Sequence, residues 1–387
     1  MKALVLSGGG SKGSYQIGVW KALKKLRIKF DIVTGTSVGA LNGALITQKS
    51  YFRAIKLWKK INLKLLFGEN AIDSTNDFKV MTMYGKEFFK NGGMEVKELE
   101  KLIEKEIKYK KLMKSNINYG LVTFNLTTKK PIQITKKDIP KELIGDYLMA
   151  SASCYPAFKQ KDIDGEKFID GGFFDNLPIN LAIEMGADEI IAVDLSAPGF
   201  NKAPKKKIPT TKIKPNNKLT NFLNFYEEGA KRNIKLGYND TLKKFGKLEG
   251  KKYTFKKHTM EKNNKKHFET FIYLLENILN NEKIMEKFQK LIHLSGISSQ
   301  TLIDKIGLKI MEELAKTFNL DDTKIYSEKS FNKELKRKLK KENSKEIKQL
   351  KKLITEIEEN KNSLKKKILL NPWEFLKALY LYTISEV

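Results

Sequence analysis

The pentapeptide Gly35-Thr36-Ser37-Val38-Gly39 sets a hydroxyl between two glycines, G-x-S-x-G. Where a strand passes sharply into a helix, that spacing lifts a serine clear of the backbone as a nucleophile, and the glycines admit the turn. A second run, Gly8-Gly9-Gly10-Ser11-Lys12-Gly13, follows an apolar stretch. A glycine turn leaves backbone N–H groups exposed, and a helix N-terminus adds positive potential, so both stabilise an anion. In acyl transfer that anion is the oxygen of the tetrahedral intermediate, and each donor is worth about 3 kcal/mol.

The loop's spacing also fits G-x-G-x-x-G, the dinucleotide-binding pattern of a nucleotide-dependent oxidoreductase. That reading needs an acid at the C-terminal end of the second strand. The nearby acid, Asp31, stands at the strand's start, and its end carries Gly35-Thr36-Ser37. A Walker loop fails too, because Ser14 and Tyr15 follow Gly13 where Lys and then Ser or Thr are required.

A serine nucleophile needs a proton acceptor. The three histidines, His258, His267 and His293, lie in the lysine-rich second half, and His258 keeps a Ser…Asp…His order open. Asp170 is the stronger candidate: it ends the short strand Phe168-Ile169, and Gly171-Gly172 leave its carboxylate reachable. Asp175 and Asp194 are rivals without that glycine exit. A carboxylate ordinarily titrates near 4, so it needs partial burial and direct contact with the hydroxyl to serve as a base.

These residues need strands to carry them. Ala3–Ser7 reads as a buried strand, Tyr15–Leu26 as a helix, Phe30–Thr34 as a second strand and Val38–Thr47 as a small-residue helix. Residues 51–114 read as mainly helical, broken at Asn91-Gly92-Gly93. Strands return at Tyr119–Asn125 and Pro131–Thr135. Asp164-Gly165 marks a hairpin, Pro178 opens a helix, and Glu189–Leu195 is another strand. This alternation predicts an α/β fold, a mostly parallel sheet flanked by helices, followed by a C-terminal mainly helical region. Asn201–Lys218, with seven lysines and three prolines, reads as an exposed loop, with a polybasic lipid-surface contact as the sharper alternative. Amphipathic helices are expected at Phe268–Leu279, Ile284–Leu294 and Leu302–Phe318. A helical hairpin is expected from Ile347, Leu350, Ile354, Ile357, Leu364 and Ile368. The aromatic segment Trp373–Ile384 is expected to pack on its own domain rather than anchor in an interface.

Taken in order, the glycine loop, the Ser37 pentapeptide and Asp170-Gly171-Gly172 resemble the patatin-like phospholipases, most closely bacterial members of the cytoplasmic type. Ser151-Ala152-Ser153-Cys154-Tyr155-Pro156-Ala157-Phe158 and Asn176-Leu177-Pro178 add to the likeness. It covers about residues 1–200. It implies a Ser37–Asp170 dyad in place of a triad, an oxyanion hole at Gly8, Gly9 and Gly10, and Lys12 in the loop's usual basic position, with Gly13, Gly35, Gly39, Gly171 and Gly172 shaping the turns. It implies a phospholipid or other acyl-ester substrate and no metal or cofactor. The expected organisation is a catalytic core over 1–200, a basic loop and helical extension over 201–255, and a lysine-rich helical domain over 256–387.

Composition narrows the rest. The chain of 387 residues is 41% hydrophobic, enough for a substantial core, with one cysteine, Cys154, which forms no internal disulfide and no cysteine-based zinc site. A reducing, cytoplasmic setting follows as the expectation. The run Met1–Leu6 is too short for a secretory signal, and no uncharged apolar run reaches spanning length. The net charge is +29; the first 200 residues carry 31 basic and 22 acidic side chains, the rest 43 and 23. Such a field favours peripheral contact with an anionic membrane. It would equally suit a nucleic-acid- or scaffold-binding protein on a vestigial hydrolase fold, a partner class that the motifs disfavour.

Overall fold

The first apolar run forms β1 (Lys2–Leu6), and α1 (Ser14–Lys25) follows after the glycine loop. The second run is β2 (Ile32–Thr36), every residue of it buried, and the small residues beyond Ser37 form α2 (Val38–Thr47). The computed structural model describes residues 1–69, 71–72, 74–257, 302–359 and 370–385, and the chain divides into two compact units, Met1–Thr241 and Leu242–Val387.

In the first unit, helices α3 (Tyr51–Trp58), α4 (Leu63–Phe67), α5 (Asp77–Asn91), α6 (Lys97–Glu106) and α7 (Tyr109–Lys114) occupy the expected helical stretch. Gly92 ends α5 in the left-handed conformation, φ 73°, that terminates helices cheaply only at glycine. The chain continues through β3 (Asn118–Asn125), β4 (Lys130–Thr135), α8 (Ile144–Ala152), β5 (Lys161–Ile163) and β6 (Glu166–Asp170). It closes with α9 (Ile179–Glu184), β7 (Glu189–Val193), β8 (Thr210–Ile213) and the start of α10 (Glu227–Lys244).

The sheet runs β5-β6-β3-β2-β1-β7-β8, with β4 also on β3. The stretch from β3 to β8 is parallel, and β4, β5 and β6 join antiparallel. Alternation sends neighbouring residues to opposite faces. Val33 and Tyr119 meet α2, whose Gly43 sits against the Tyr119 ring and a Val33 methyl. Ala3, Val5, Ile32, Ile190 and Ala192 pack with Ala182 of α9 on the other face. Leu6 is in register with Gly35 on one side and Val193 on the other, so the loops leaving β1, β2 and β7 emerge together. Ligands of open α/β sheets bind at this carboxyl edge.

Two expectations are corrected. The second strand spans Ile32–Thr36 rather than Phe30–Thr34. Asn201–Lys218 is not wholly loop: Thr210–Ile213 pairs in parallel with β7 as an edge strand, right after Pro209. Lys212 and Lys214 there share one carboxylate oxygen of Asp194.

The second unit is also less uniformly helical than its sequence implies. Helices Leu302–Thr317, Glu328–Lys341, Lys345–Glu358 and Pro372–Ser385 share a core with a small sheet of β9 (Leu248–Glu249), β10 (Thr254–Lys256) and β11 (Ile325–Tyr326). The Glu312 carboxylate accepts the N–H groups of Lys251, Lys252 and Tyr253, tying that strand's entry to the first of these helices. Phe375, Leu379 and Tyr380 are buried in this core, so the aromatic segment packs on its own unit as expected. The helices expected at Phe268–Leu279 and Ile284–Leu294, the positions Leu364 and Ile368, and all three histidines lie outside the described residues. Among the described residues no helix is long and apolar enough to cross a membrane.

Candidate active site

Ser37 occupies the bend between β2 and α2 at φ 57°, ψ −129°, a strained conformation for a residue with a side chain. The bend is so tight that a Cβ on Gly35 would lie 2.3 Å from the Gly39 carbonyl oxygen, and one on Gly39 2.3 Å from that of Leu6. Only glycine fits both positions. The Ser37 N–H donates to Ser151 Oγ (2.9 Å), whose hydroxyl donates to the Val122 carbonyl (2.7 Å), so α8 and β3 pin the turn. The Ser37 side chain makes no capping bond to α2 and is left for another partner.

That partner is set by strand pairing. Gly120–Asn125 of β3 pair with β4 along one edge, so β2 and β6 must share the other. β2 runs parallel to β3 as far as Thr36↔Val122; β6 runs antiparallel as far as Asp170↔Thr123. The two strands therefore approach head to head along β3, and their C-terminal ends, Thr36-Ser37 and Asp170, abut. The Ser37 hydroxyl stands close enough to the Asp170 carboxylate to favour its charged form. The carboxylate also accepts Gly172 N–H (2.8 Å), and Asp170 N–H donates to the Ser153 carbonyl (2.9 Å). A Cβ on Gly171 would sit 2.2 Å from the Val122 oxygen, which is why the exit from β6 is glycine. Both Ser37 and Asp170 are buried. Burial pushes the Asp170 pKa up to about 6, against the pull of the nearby Ser37 hydroxyl and the Gly172 hydrogen bond.

The rival carboxylates have other partners. Asp175 accepts the N–H groups of Leu177 and Lys202 (both 3.3 Å), and its backbone carbonyl takes the Thr36 hydroxyl (2.7 Å). Burial raises its pKa too, to about 6, but its contacts make it a brace for the elbow. Asp194 is pushed up by burial, yet Ser196 N–H, Lys212 and Lys214 outweigh that and hold it below the usual carboxylate range. Asp31 precedes β2 and accepts Lys2 N–H (2.9 Å), so the dinucleotide reading gains no acid at the strand's end.

Gly8 packs against the nucleophile: a Cβ there would lie 3.1 Å from the Ser37 Cβ. Its N–H, however, donates to the Asn176 carbonyl (3.0 Å) and is engaged within the protein. Among the described residues, the N–H groups of Gly9 and Gly10 find no protein acceptor. Gly10 is at φ 53°, with the Phe222 carbonyl 2.0 Å from where a Cβ would stand. Lys12 does not face the serine. Its ammonium donates to the Ser196 carbonyl (3.2 Å), and burial lowers its pKa against the opposing charge of Asp194. Gly13 lets the loop pass Val38, whose Cγ2 would be 2.4 Å from a Cβ.

Ser37, Asp170, Gly9 and Gly10 open into a cavity of about 560 Å³. Val38, Leu41 and Leu45 line it on successive turns of α2, with walls from Trp58, Tyr84 and Phe158. At the far end of α2, Gln48 Nε2 donates to the Glu106 carbonyl (2.8 Å). Cys154 also lines the cavity; burial and the Asp170 charge push its thiol up to about 12, which keeps it neutral. The parts that sequence reasoning did not assign are Ser151 as the elbow's anchor, the Asn176 carbonyl that occupies Gly8, and the cavity walls from α3 to α6. Among the described residues no cluster of three His, Cys, Asp or Glu could hold a metal ion.

Residues 4–183 match the sequence model of the family described as patatin-like phospholipase. Human patatin-like phospholipase domain-containing protein 6 (Homo sapiens) is 29% identical over 199 residues, 50% of this chain and 13% of that protein. Lysophospholipase NTE1 of Coccidioides immitis is 32% identical over 202 residues, 50% of this chain and 11% of that protein. The chain thus spans about an eighth of the length of these relatives. Among solved structures, VipD from Legionella pneumophila aligns over 99% of this chain and 90% of its own, at 15% identity and a TM-score of 0.44.

Proposed function

Because residues 4–183 match the patatin-like phospholipase family, we propose that the protein hydrolyses acyl esters of lipids, glycerophospholipids or lysophospholipids, through a Ser37–Asp170 dyad. The observation that carries this reading is the strained, buried Ser37 beside Asp170 where both open into an apolar cavity.

The ester's acyl chain lies in the cavity, with its carbonyl at Ser37. Ser37 Oγ attacks the carbonyl carbon as its proton passes to Asp170. The Gly9 and Gly10 amides hold the oxyanion, aided by the N-terminus of α2. When the tetrahedral intermediate collapses, Asp170 returns the proton to the departing alcohol and an acyl ester remains on Ser37. A water then gives its proton to Asp170 and attacks this ester; as the intermediate collapses and releases the fatty acid, Asp170 passes that proton to Ser37 Oγ and the hydroxyl is restored. A base of pKa about 6 is ionised at neutral pH and still holds a proton better than an ordinary aspartate. Protein groups supply every step, so the reading calls on no metal or cofactor.

A panel of phospholipids, lysophospholipids and p-nitrophenyl esters tests it, with wild type beside Ser37→Ala. Turnover should fall by at least about 1,000-fold in the variant, with its circular dichroism unchanged. Ester hydrolysis that survives in Ser37→Ala would remove the mechanism.

A further inference from the structure

The cavity mouth carries two aromatic rings that this chemistry does not use. Phe173 follows the two glycines after Asp170, and Phe200 lies in the loop after β7. Both line the cavity, yet they are 47% and 67% exposed. Phe200 is held at both ends of its peptide unit: its N–H donates to the Gly172 carbonyl (2.9 Å) and its carbonyl accepts Asn176 N–H. The ring is therefore a fixed lip of the site, kept in water at a hydrophobic cost.

Charge gathers beside it. From Leu195 to Tyr226 the chain has seven lysines and no carboxylate. Lys212 and Lys214 pair with Asp194, and Lys205 with Glu184. Lys202, Lys206 and Lys207, all within seven residues of Phe200, are exposed and form no ion pair with a carboxylate among the described residues. The Lys202 ammonium stands 4.5 Å from the centre of the Phe174 ring, fixed over the segment that follows Phe173.

We propose that this lip, Phe173 and Phe200 with Lys202, Lys206 and Lys207, docks the protein onto an anionic lipid membrane, so that the cavity mouth opens at the bilayer surface. Aromatic rings insert at the level of the headgroups, and lysines around them meet anionic phosphates. A polyanion without an apolar layer would satisfy the lysines and leave the rings in water, which favours a membrane over nucleic acid. The proposal rests on the lipid-ester reading for the purpose of docking, while the binding itself needs no turnover.

The test is co-flotation of the full-length Ser37→Ala protein with phosphatidylcholine vesicles, with and without phosphatidylserine. Binding is expected only with the anionic lipid. Phe200→Ser should weaken it about tenfold through lost ring insertion. Lys206→Glu with Lys207→Glu should also weaken it at least about tenfold, while the otherwise wild-type double variant keeps its turnover of p-nitrophenyl butyrate in lipid-free buffer. Lys340→Glu with Lys341→Glu, an equal charge change on exposed residues elsewhere, should shift binding by less than about twofold. The proposal is overturned by absence of vesicle binding, by equal losses in the two charge variants, or by full competition from single-stranded RNA. Vesicle binding with this pattern in a protein that hydrolyses no ester would support the docking surface and sink the hydrolase reading alone.

Discussion

Replacing Asp170 by asparagine should move activity and stability in opposite directions. Burial raises the Asp170 pKa from an ordinary 3.8 to about 6, even though Ser37 and Gly172 both favour its charged form. The folded protein therefore holds this proton more tightly than the unfolded chain does. The stability that the protonated carboxyl contributes is fully present below about pH 4 and is lost as pH rises through about 6. Above that, the native state carries a penalty of about 3 kcal/mol, from about two pK units at about 1.4 kcal/mol each. Asparagine keeps the shape and an acceptor oxygen for Gly172, and it never ionises. Thermal unfolding at pH 8 should show Asp170→Asn more stable than wild type by about 1–3 kcal/mol, a rise of about 5 °C for a unit of this size. At pH 4.5 the difference should shrink to about a third, and by about pH 3 it should nearly vanish. Hydrolysis of p-nitrophenyl esters by the same variant should drop at least about 100-fold. A variant less stable than wild type at pH 8, or a difference that does not change with pH, would refute the account of this carboxyl.

The same pKa predicts that wild-type turnover rises through a midpoint near pH 6 and is about tenfold below its plateau at pH 5; a rate flat from pH 4.5 to 8 would count against Asp170 as the base. Leu45 lies eight residues along α2 from Ser37, about 12 Å at 1.5 Å per residue, which an extended acyl chain spans in about nine carbons at about 1.3 Å per bond. Leu45→Trp should thus leave butyrate esters unaffected and cut palmitate ester turnover about tenfold or more, and equal losses on both would show that the chain takes another path. Gly10→Ala meets the Phe222 carbonyl oxygen at 2.0 Å with φ +53°. It should cost several kcal/mol of stability or displace the loop, with most activity lost; a fully active, equally stable variant would mean that the loop's shape is not needed.

How far the sequence reached can be judged element by element. Ser37 and the glycine loop were legible because each interrupts an apolar strand with residues that only a sharp turn requires, and α2 begins and ends where its small residues do. Asp170 was legible through its local grammar: the Asp164-Gly165 hairpin fixes β6, and the glycines after it mark a close approach to β3. The reason it reaches Ser37 was not local, since it depends on β2 and β6 sharing one edge of β3. The bond from Gly8 N–H to the Asn176 carbonyl is likewise tertiary. Strand β8 was hidden in a stretch rich in lysine and proline, where composition argues for loop and only the free edge of β7, with Asp194 to pair with two lysines, makes a strand of it. Strands β10 and β11 pair Thr254 with Ile325 over very short spans that offer no periodic signal.

Covalent labelling tests the central claim most directly. A fluorophosphonate probe, followed by peptide mapping, should modify Ser37 and no other serine in the wild-type protein. The rate should fall about tenfold between pH 7 and pH 5, and at least about 100-fold in Asp170→Asn. Label found on a different residue, or Ser37 labelled equally fast in Asp170→Asn, would contradict the dyad.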